Sequence, residues 1–218
     1  IYGMTENLAW ATGNVPGVRF GSIGKPWTNV ESRVTQDGEL QTRSDATMLG
    51  YYKMPELSKE TFTDDGFLKS GDIAQIDKDG FHFITGRIKD QFKTDKGKYI
   101  APLPIEMKLM SNTDIENVCV VGMGVPQPMA LVVLSPAGKA KSKDEITKSM
   151  TQLLAMVNKE LEAYEKLQAA IIMKDEWTVG NGLLTPSLKI KRNEVEKIHL
   201  PAYPRWYNLG QQVVWEKD

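Results

Sequence analysis

The spacing of apolar residues changes character part-way along the chain. Residues 1–88 contain short stretches of alternating apolar and polar residues separated by turn residues, a pattern typical of antiparallel strands. Asp-Gly pairs at residues 37–38 and 79–80 lie between such stretches and predict hairpin turns. From Lys89 onward, helical spacing alternates with short apolar runs. We therefore expect an α+β protein whose β-rich first part, residues 1–88, is followed by a mixed second part, residues 89–218.

The second part carries one strong helix signal and several short strands. Over residues 142–167 apolar side chains recur at steps of three and four, and Ser142 with Glu145 matches a capping box. Further helices are predicted over 102–110 and 192–199, and strands over 116–123, 130–135 and 169–173. Helices beside so few strands predict a small sheet, which we expect to have about three antiparallel strands flanked by helices.

Composition narrows the class of protein. The 218 residues are 41% hydrophobic and 25% charged, which is ordinary for a globular protein of one or two domains. The net charge of −1 gives no indication of nucleic-acid binding. No apolar stretch approaches the roughly 20 residues of a membrane-spanning helix, so only peripheral membrane contact stays open. The single cysteine, Cys119, excludes an internal disulfide and is typical of a reducing compartment such as the cytoplasm. Its apolar neighbours favour a buried thiol over a nucleophile.

Five motifs follow one another along the chain. They are Tyr2-Gly3-Met4-Thr5-Glu6, Ser70-Gly71-Asp72, Gly80-Phe81-His82-Phe83-Ile84-Thr85-Gly86-Arg87-Ile88-Lys89-Asp90, Lys96-Gly97-Lys98 and Leu184-Thr185-Pro186-Ser187-Leu188-Lys189. In this order and spacing the chain resembles adenylate-forming enzymes, the superfamily of acyl-CoA synthetases, luciferases and peptide-synthetase adenylation domains. Residues 95–102 most resemble long-chain acyl-CoA synthetases. The resemblance implies that residues 1–88 are the tail of a large AMP-binding domain and residues 89–218 a mobile C-terminal domain.

The resemblance also implies a reaction. A fatty acid, of the long-chain class that residues 95–102 favour, would be activated by ATP with Mg²⁺ as an acyl-adenylate, and the acyl group would then be passed to coenzyme A. Because Ile1 stands directly on the first motif, we expect the chain to be a fragment that lacks the phosphate loop and acyl pocket and is inactive alone. Two alternatives stay open: a fatty acyl-AMP ligase that passes the acyl group to a carrier protein, and a non-catalytic nucleotide-binding relative.

The resemblance assigns the first motif to the nucleotide and its metal. It implies that Tyr2 and Gly3 flank the adenine, that Thr5 contacts the phosphates, and that Glu6 binds Mg²⁺. ATP activation needs such groups, because a cation must bridge the phosphate oxygens and hydroxyls must orient them.

Asp72 and Arg87 are the remaining residues implied in nucleotide binding. A carboxylate accepts two hydrogen bonds side by side, which suits the neighbouring hydroxyls of ribose, and the resemblance gives this role to Asp72. It assigns phosphate or ribose oxygens to Arg87, whose guanidinium presents a fixed fork of donors. Lys89 is the implied hinge of the C-terminal domain, with Asp90 as second candidate.

Two loops of the second part complete the implied site. Lys96 and Gly97 would line the coenzyme A tunnel, where the missing Cβ of glycine lets backbone approach a ligand closely. Lys189 is the implied catalyst, because a mobile ammonium can neutralise charge that gathers on the α-phosphate. Its usual glycine neighbour is replaced by Leu188, and Lys191 remains a rival.

Overall fold

The chain divides between Lys89 and Asp90 into two units, a first unit Ile1–Lys89 and a second unit Asp90–Asp218. The computed structural model describes residues 1–14 and 17–216. None of the helices in these ranges has both the length and the apolar character needed to span a bilayer.

The first unit is built on an antiparallel meander. After a 3-10 turn, Thr5–Asn7, come two short paired strands, β1 (Thr12–Gly13) and β2 (Lys25–Pro26). The main sheet contains, in spatial order, β3 (Glu31–Val34), β4 (Glu39–Arg43), β5 (Leu68–Ile76) and β6 (His82–Arg87), with helix α1 (Pro55–Thr61) between β4 and β5. Both predicted Asp-Gly hairpins are confirmed, since their glycines, Gly38 and Gly80, connect β3 to β4 and β5 to β6 with φ of 85° and 84°.

The second unit places a four-stranded sheet between two layers of helices. It begins with the hairpin of β7 (Phe92–Lys93) and β8 (Tyr99–Ile100), followed by α2 (Pro102–Leu109), β9 (Ile115–Val121) and β10 (Met129–Leu134). Next come α3 (Pro136–Lys139), α4 (Lys143–Asn158) and β11 (Ala170–Ile172). The unit ends with α5 (Arg192–His199), the 3-10 turn Leu200–Ala202, α6 (Tyr203–Asn208) and β12 (Val213–Trp215).

The predicted α+β class is confirmed, but the expectation of three antiparallel strands is wrong. The sheet has the order β12-β11-β10-β9, and only β9 and β10 are antiparallel. The other two pairs, β10 with β11 and β11 with β12, are parallel. A parallel pair needs a long crossover connection, and helices supply both: α3 and α4 follow β10, while α5 and α6 follow β11.

Alternate residues of each strand point to opposite faces of the sheet, and both faces are buried because helices cover them. All six residues of β10 are buried. One face packs against the apolar stripe of α4, which contributes Ile146, Met150, Leu153, Leu154 and Val157. The other face packs against α5 and α6, which contribute Val195, Tyr203 and Trp206. Cys119 belongs to this second core layer and is 0% exposed.

Helix α4 is shorter than its apolar pattern predicts. The capping box is confirmed, because the Ser142 hydroxyl accepts a hydrogen bond from the amide of Glu145 and the Glu145 side chain accepts one from the amide of Ser142. The helix nevertheless ends at Asn158, not at Leu167. The Asn158 side chain donates to the carbonyl of Leu167 at 2.9 Å and accepts from its amide at 2.8 Å, so this side chain holds the returning chain. The apolar stripe continues beyond Asn158 because Leu161 still packs on the core.

Candidate functional site

Three residues expected at the nucleotide meet in the first unit. Asp72 on β5 and Arg87 on β6 are direct partners in the strand register. The Arg87 Nε donates to Asp72 Oδ1 at 2.6 Å, and the Tyr2 hydroxyl donates to Asp72 Oδ2 at 2.5 Å. Asp72 is only 5% exposed. The carboxylate is therefore held at both oxygens by groups from two distant parts of the sequence.

The two residues before Asp72 shape the backbone that presents it. The Ser70 hydroxyl donates to the carbonyl of Leu40 at 2.6 Å and accepts from the amide of Asp72 at 3.0 Å. Gly71 has φ of 70°, a left-handed conformation that is unfavourable for residues with a Cβ. Ser70 thus ties this part of β5 to β4, while Gly71 permits the irregularity at which the β4–β5 register shifts.

The electrostatics of this cluster keep Tyr2 a hydrogen-bond donor. Burial raises the pKa of Tyr2 well above its usual range, and the hydrogen bond to Asp72 raises it further. A carboxylate group has about four lone-pair positions on its two oxygens, so Asp72 can accept further hydrogen bonds from hydroxyl groups beyond the two donors it already binds. The Arg87 side chain is 58% exposed and can meet an anion beside the carboxylate.

Glu6 and Thr5 lie in the 3-10 turn that follows Tyr2. The Glu6 Oε1 accepts a hydrogen bond from the Tyr51 hydroxyl at 2.7 Å, and the Thr5 side chain is exposed. Within residues 1–14 and 17–216 no group of three His, Cys, Asp or Glu side chains could hold a metal ion. A single carboxylate fits Mg²⁺ in the arrangement where substrate phosphates and water supply the other ligands. Tyr51 was not predicted as a site residue, because nothing local in its sequence indicates a partner so distant along the chain.

Gly3 is required by the packing of the chain on itself. A Cβ at this position would lie 2.3 Å from the carbonyl carbon of Ala9. Ala9 and the preceding Leu8 have φ of 57° and 54°, so two successive residues with side chains adopt the left-handed conformation. Such backbone strain clusters at ligand-binding loops, and here it closes the turn that carries Thr5 and Glu6.

The expected hinge lies where the two units join. Lys89 is the central residue of a 3-10 turn, Ile88–Asp90, and its side chain is exposed. Asp90 is half-buried. An exposed residue in a single turn can change its backbone angles without disturbing a core.

The Gly97 loop, residues 94–98, connects β7 to β8. The amide of Thr94 donates to the carbonyl of Lys98, and the amide of Gly97 donates to the carbonyl of Thr94, both at 2.9 Å. Gly97 has φ of 77°, and an added Cβ would meet only the Cε of Lys93 at 3.7 Å. Glycine is thus required by the backbone conformation of this turn. The side chains of Lys96 and Lys98 are exposed.

The Lys189 loop, residues 184–190, is a second tight turn. Its ends pair at Leu184 and Ile190, and the amide of Thr185 donates to the carbonyl of Lys189 at 2.8 Å. Leu188 is 69% exposed and has φ of 60°. The residue that departs from the expected glycine therefore occupies a left-handed position that favours glycine. Lys189 and Lys191 are both exposed, so exposure alone does not separate the two candidates.

A buried ion pair that sequence reasoning missed lies at the base of the Lys189 loop. Arg192, the first residue of α5, forms a salt bridge with the Oε1 of Glu106 on α2. Its guanidinium also donates to the carbonyl of Val120 at 2.8 Å and to the Cys119 sulfur at 3.1 Å. Burial raises the pKa of Cys119 to about 12, so this thiol stays protonated and is a core residue, as the sequence indicates.

Comparison with known proteins identifies the family. The model of the AMP-binding enzyme C-terminal domain matches residues 89–200. The chain belongs to this family. The resemblance to adenylate-forming enzymes is thereby confirmed, and the AMP-binding enzyme C-terminal domain occupies most of the second unit.

Individual relatives extend the likeness into the first unit. A long-chain-fatty-acid–CoA ligase, FadD15 of Mycobacterium bovis, is 29% identical over 89% of this chain and 35% of its own length. The sulfoacetate–CoA ligase of Cupriavidus necator is 36% identical over 63% of this chain and 30% of its own length. The crystal structure of ATP-bound MatB from Rhodopseudomonas palustris superposes with a TM-score of 0.72 at 25% identity, covering 93% of this chain and 40% of that chain. The chain thus spans about a third of the length of the curated relatives described here.

Proposed function

We propose that this chain is the C-terminal part of an AMP-forming acid–CoA ligase. The complete enzyme activates a long-chain fatty acid with ATP as an acyl-adenylate and transfers the acyl group to coenzyme A in the cytoplasm. The observation that carries this proposal is the cluster of Tyr2, Asp72 and Arg87, which the fold assembles ahead of the AMP-binding enzyme C-terminal domain.

The proposed nucleotide contacts follow from the donors and acceptors of that cluster. Asp72 accepts hydrogen bonds from the two ribose hydroxyls, while Tyr2 and Arg87 fix the orientation of its carboxylate. Arg87 meets ribose or phosphate oxygens with its exposed guanidinium. Tyr2 and Gly3 lie beside the adenine.

The residues after Tyr2 are proposed to face the phosphates. The exposed hydroxyl of Thr5 donates to a phosphate oxygen, and the carboxylate of Glu6 contributes one ligand to Mg²⁺. The metal supplies neutralisation of phosphate charge when it is bound. Tyr51 orients the Glu6 carboxylate by donating to one of its oxygens and leaves the other oxygen for the metal.

The second unit is proposed to supply different groups to the two steps. Lys189 places its ammonium beside the α-phosphate during adenylation, where its positive charge offsets the negative charge that develops there. The Gly97 loop, with Lys96, lines the path of the pantetheine arm in thioester formation. Lys89 is the hinge between the two arrangements of the domain.

A panel of acids and acceptors tests this function in the complete enzyme. We expect ATP–pyrophosphate exchange that depends on a long-chain fatty acid, and acyl-CoA formation when coenzyme A is added. Sulfoacetate and short-chain acids are included because the two relatives described above are named for different substrates, a long-chain fatty acid and sulfoacetate. Exchange with a short acid alone would refute the long-chain assignment. Transfer to a carrier protein but not to coenzyme A would identify the acyl-AMP ligase alternative, and no exchange with any acid would indicate the non-catalytic relative.

A further inference from the structure

The salt bridge of Glu106 and Arg192 joins three elements at a single oxygen atom. Glu106 Oε1 accepts the Arg192 guanidinium and also the backbone amide of Val120 on β9, the latter at 2.7 Å. The two side chains are only 13% and 14% exposed. Helices α2 and α5 are thus both fastened to the same residue of the central sheet.

These two helices are the ones that carry the proposed active-site loops. Helix α2 follows the Gly97 loop and β8, and α5 follows the Lys189 loop. Arg192 is separated from that loop by Lys191 alone, whose amide donates to the carbonyl of Leu183 at 2.8 Å. Displacing the N-terminus of α5 would therefore displace the backbone beneath Lys189.

We infer that Glu106 and Arg192 are positioning residues that hold the Gly97 loop and the Lys189 loop in one fixed arrangement, so that both half-reactions depend on their salt bridge. This inference rests on the proposed function, in which each loop serves a different half-reaction. Burial makes the bridge sensitive to either partner, because removing one leaves an uncompensated charge in the interior. Lysine would not replace Arg192, since two nitrogens of the planar guanidinium reach three acceptors here and an ammonium has only one nitrogen.

A positioning role predicts an equal loss of rate in both half-reactions. A substitution within the Gly97 loop or the Lys189 loop, by contrast, should impair only one of them. In the complete enzyme, Glu106→Ala and Arg192→Gln should each lower both acyl-adenylate formation and thioester formation from supplied acyl-adenylate. A loss on the order of 100-fold is expected in each, because a displacement of about 1 Å in a catalytic group has that effect. Glu106→Gln keeps an oxygen for the Val120 amide and should lose less.

Glu196→Gln is the matched control. Glu196 is a half-buried carboxylate on α5 that interacts electrostatically with Arg192, but its side chain makes no hydrogen bond within the described ranges. This variant should retain both half-reactions near the parental rate. A loss confined to one half-reaction in Arg192→Gln, or a loss no larger than in Glu196→Gln, would overturn the inference.

Hydrogen exchange separates failure of the inference from failure of the proposed function. In folded Glu106→Gln and Arg192→Gln proteins, amide exchange should increase in both loops, whichever residue is substituted. If the parental enzyme activates no acid, the proposed function fails while this comparison still decides the inference. Faster exchange only in the loop next to the substituted residue would show that the bridge does not couple the two.

Discussion

Replacing Tyr2 with Phe removes the hydroxyl but keeps the aromatic ring, so the role of the hydroxyl can be measured separately. The ring could lie beside an adenine without the hydroxyl, whereas the structure uses the hydroxyl to hold Asp72 at 2.5 Å. A hydrogen bond to a charged group contributes about 1.5–3 kcal/mol, and Asp72 is too buried for water to replace the lost donor fully. Arg87 compensates little, because its 58% exposed side chain lets solvent weaken the ion pair.

We therefore expect Tyr2→Phe to lower the free energy of unfolding of the first unit by about 1.5–3 kcal/mol. Urea unfolding followed by circular dichroism measures this change. If the hydroxyl also orients Asp72 for ribose, calorimetric titration of the complete enzyme with AMP should show roughly tenfold weaker binding, equivalent to about 1.4 kcal/mol.

Tyr52→Phe provides the control for this prediction. It makes the same chemical change on a side chain that is 85% exposed, and its hydroxyl has no hydrogen bond to another described residue. The control should match the parent in both assays. If Tyr2→Phe and Tyr52→Phe behaved alike, the hydroxyl of Tyr2 would have no role in holding Asp72.

Three further predictions concern the turn, the hinge and pH. Gly97→Leu should retain ATP–pyrophosphate exchange but lose coenzyme A-dependent turnover. The control Gly124→Leu introduces similar backbone strain, at φ of 75° in another loop, and should retain both activities. Equal coenzyme A-dependent turnover of the two variants would contradict this prediction. Lys89→Pro fixes φ at about −65° and should lower coenzyme A-dependent turnover far more than Lys89→Ala; similar turnover of the two variants would exclude Lys89 as the hinge. Burial lowers the pKa of His82, so the unfolded chain binds more protons and stability should fall as pH decreases through about 6.5. Urea unfolding at about pH 7.5 and about pH 5.5 should show a smaller loss on acidification for His82→Gln than for the parent, and an identical loss would refute it.

Local patterns predict the two hairpins of the first unit, and the second hairpin brings the strands of Asp72 and Arg87 side by side. The Asp79-Gly80 turn fixes the hairpin next to it, but the register shifts by one residue between Ile73 and Ala74. This irregularity places Asp72 opposite Arg87, so their pairing does not follow from the turn alone. The contact with Tyr2 could not be predicted in this way, because it depends on how the N-terminal segment packs against β5.

In the second unit, two predictions were wrong, the strand directions of the sheet and the end of α4, because residue periodicity alone determines neither. The helix α4 between β10 and β11 is itself the crossover that makes those strands parallel, so the connection carried information that the strand patterns did not. The end of α4 depends on the side chain of Asn158, while the apolar stripe reports burial alone. Strand β12 is only three residues long and is defined by its pairing with β11.

The roles of Glu106 and Arg192 depend on contacts between distant segments. Neither residue belongs to a motif with recognisable chemistry, and their salt bridge forms only once α2 and α5 lie against β9. By contrast, the sequence alone indicates that residue 188 is usually glycine in the family. The structure gives the reason, because Leu188 lies in a tight turn with a left-handed backbone that favours glycine.

The most direct test of the proposed function compares Lys189→Ala with Lys191→Ala in the complete enzyme. Both side chains are exposed, so neither change should disturb the fold. Lys189→Ala should slow acyl-adenylate formation on the order of 100- to 1000-fold, the usual effect of losing one transition-state charge contact, while thioester formation from supplied acyl-adenylate continues. Lys191→Ala should leave both half-reactions near the parental rate. Equal damage to both half-reactions by Lys189→Ala, or a larger effect of Lys191→Ala on adenylation, would contradict the account.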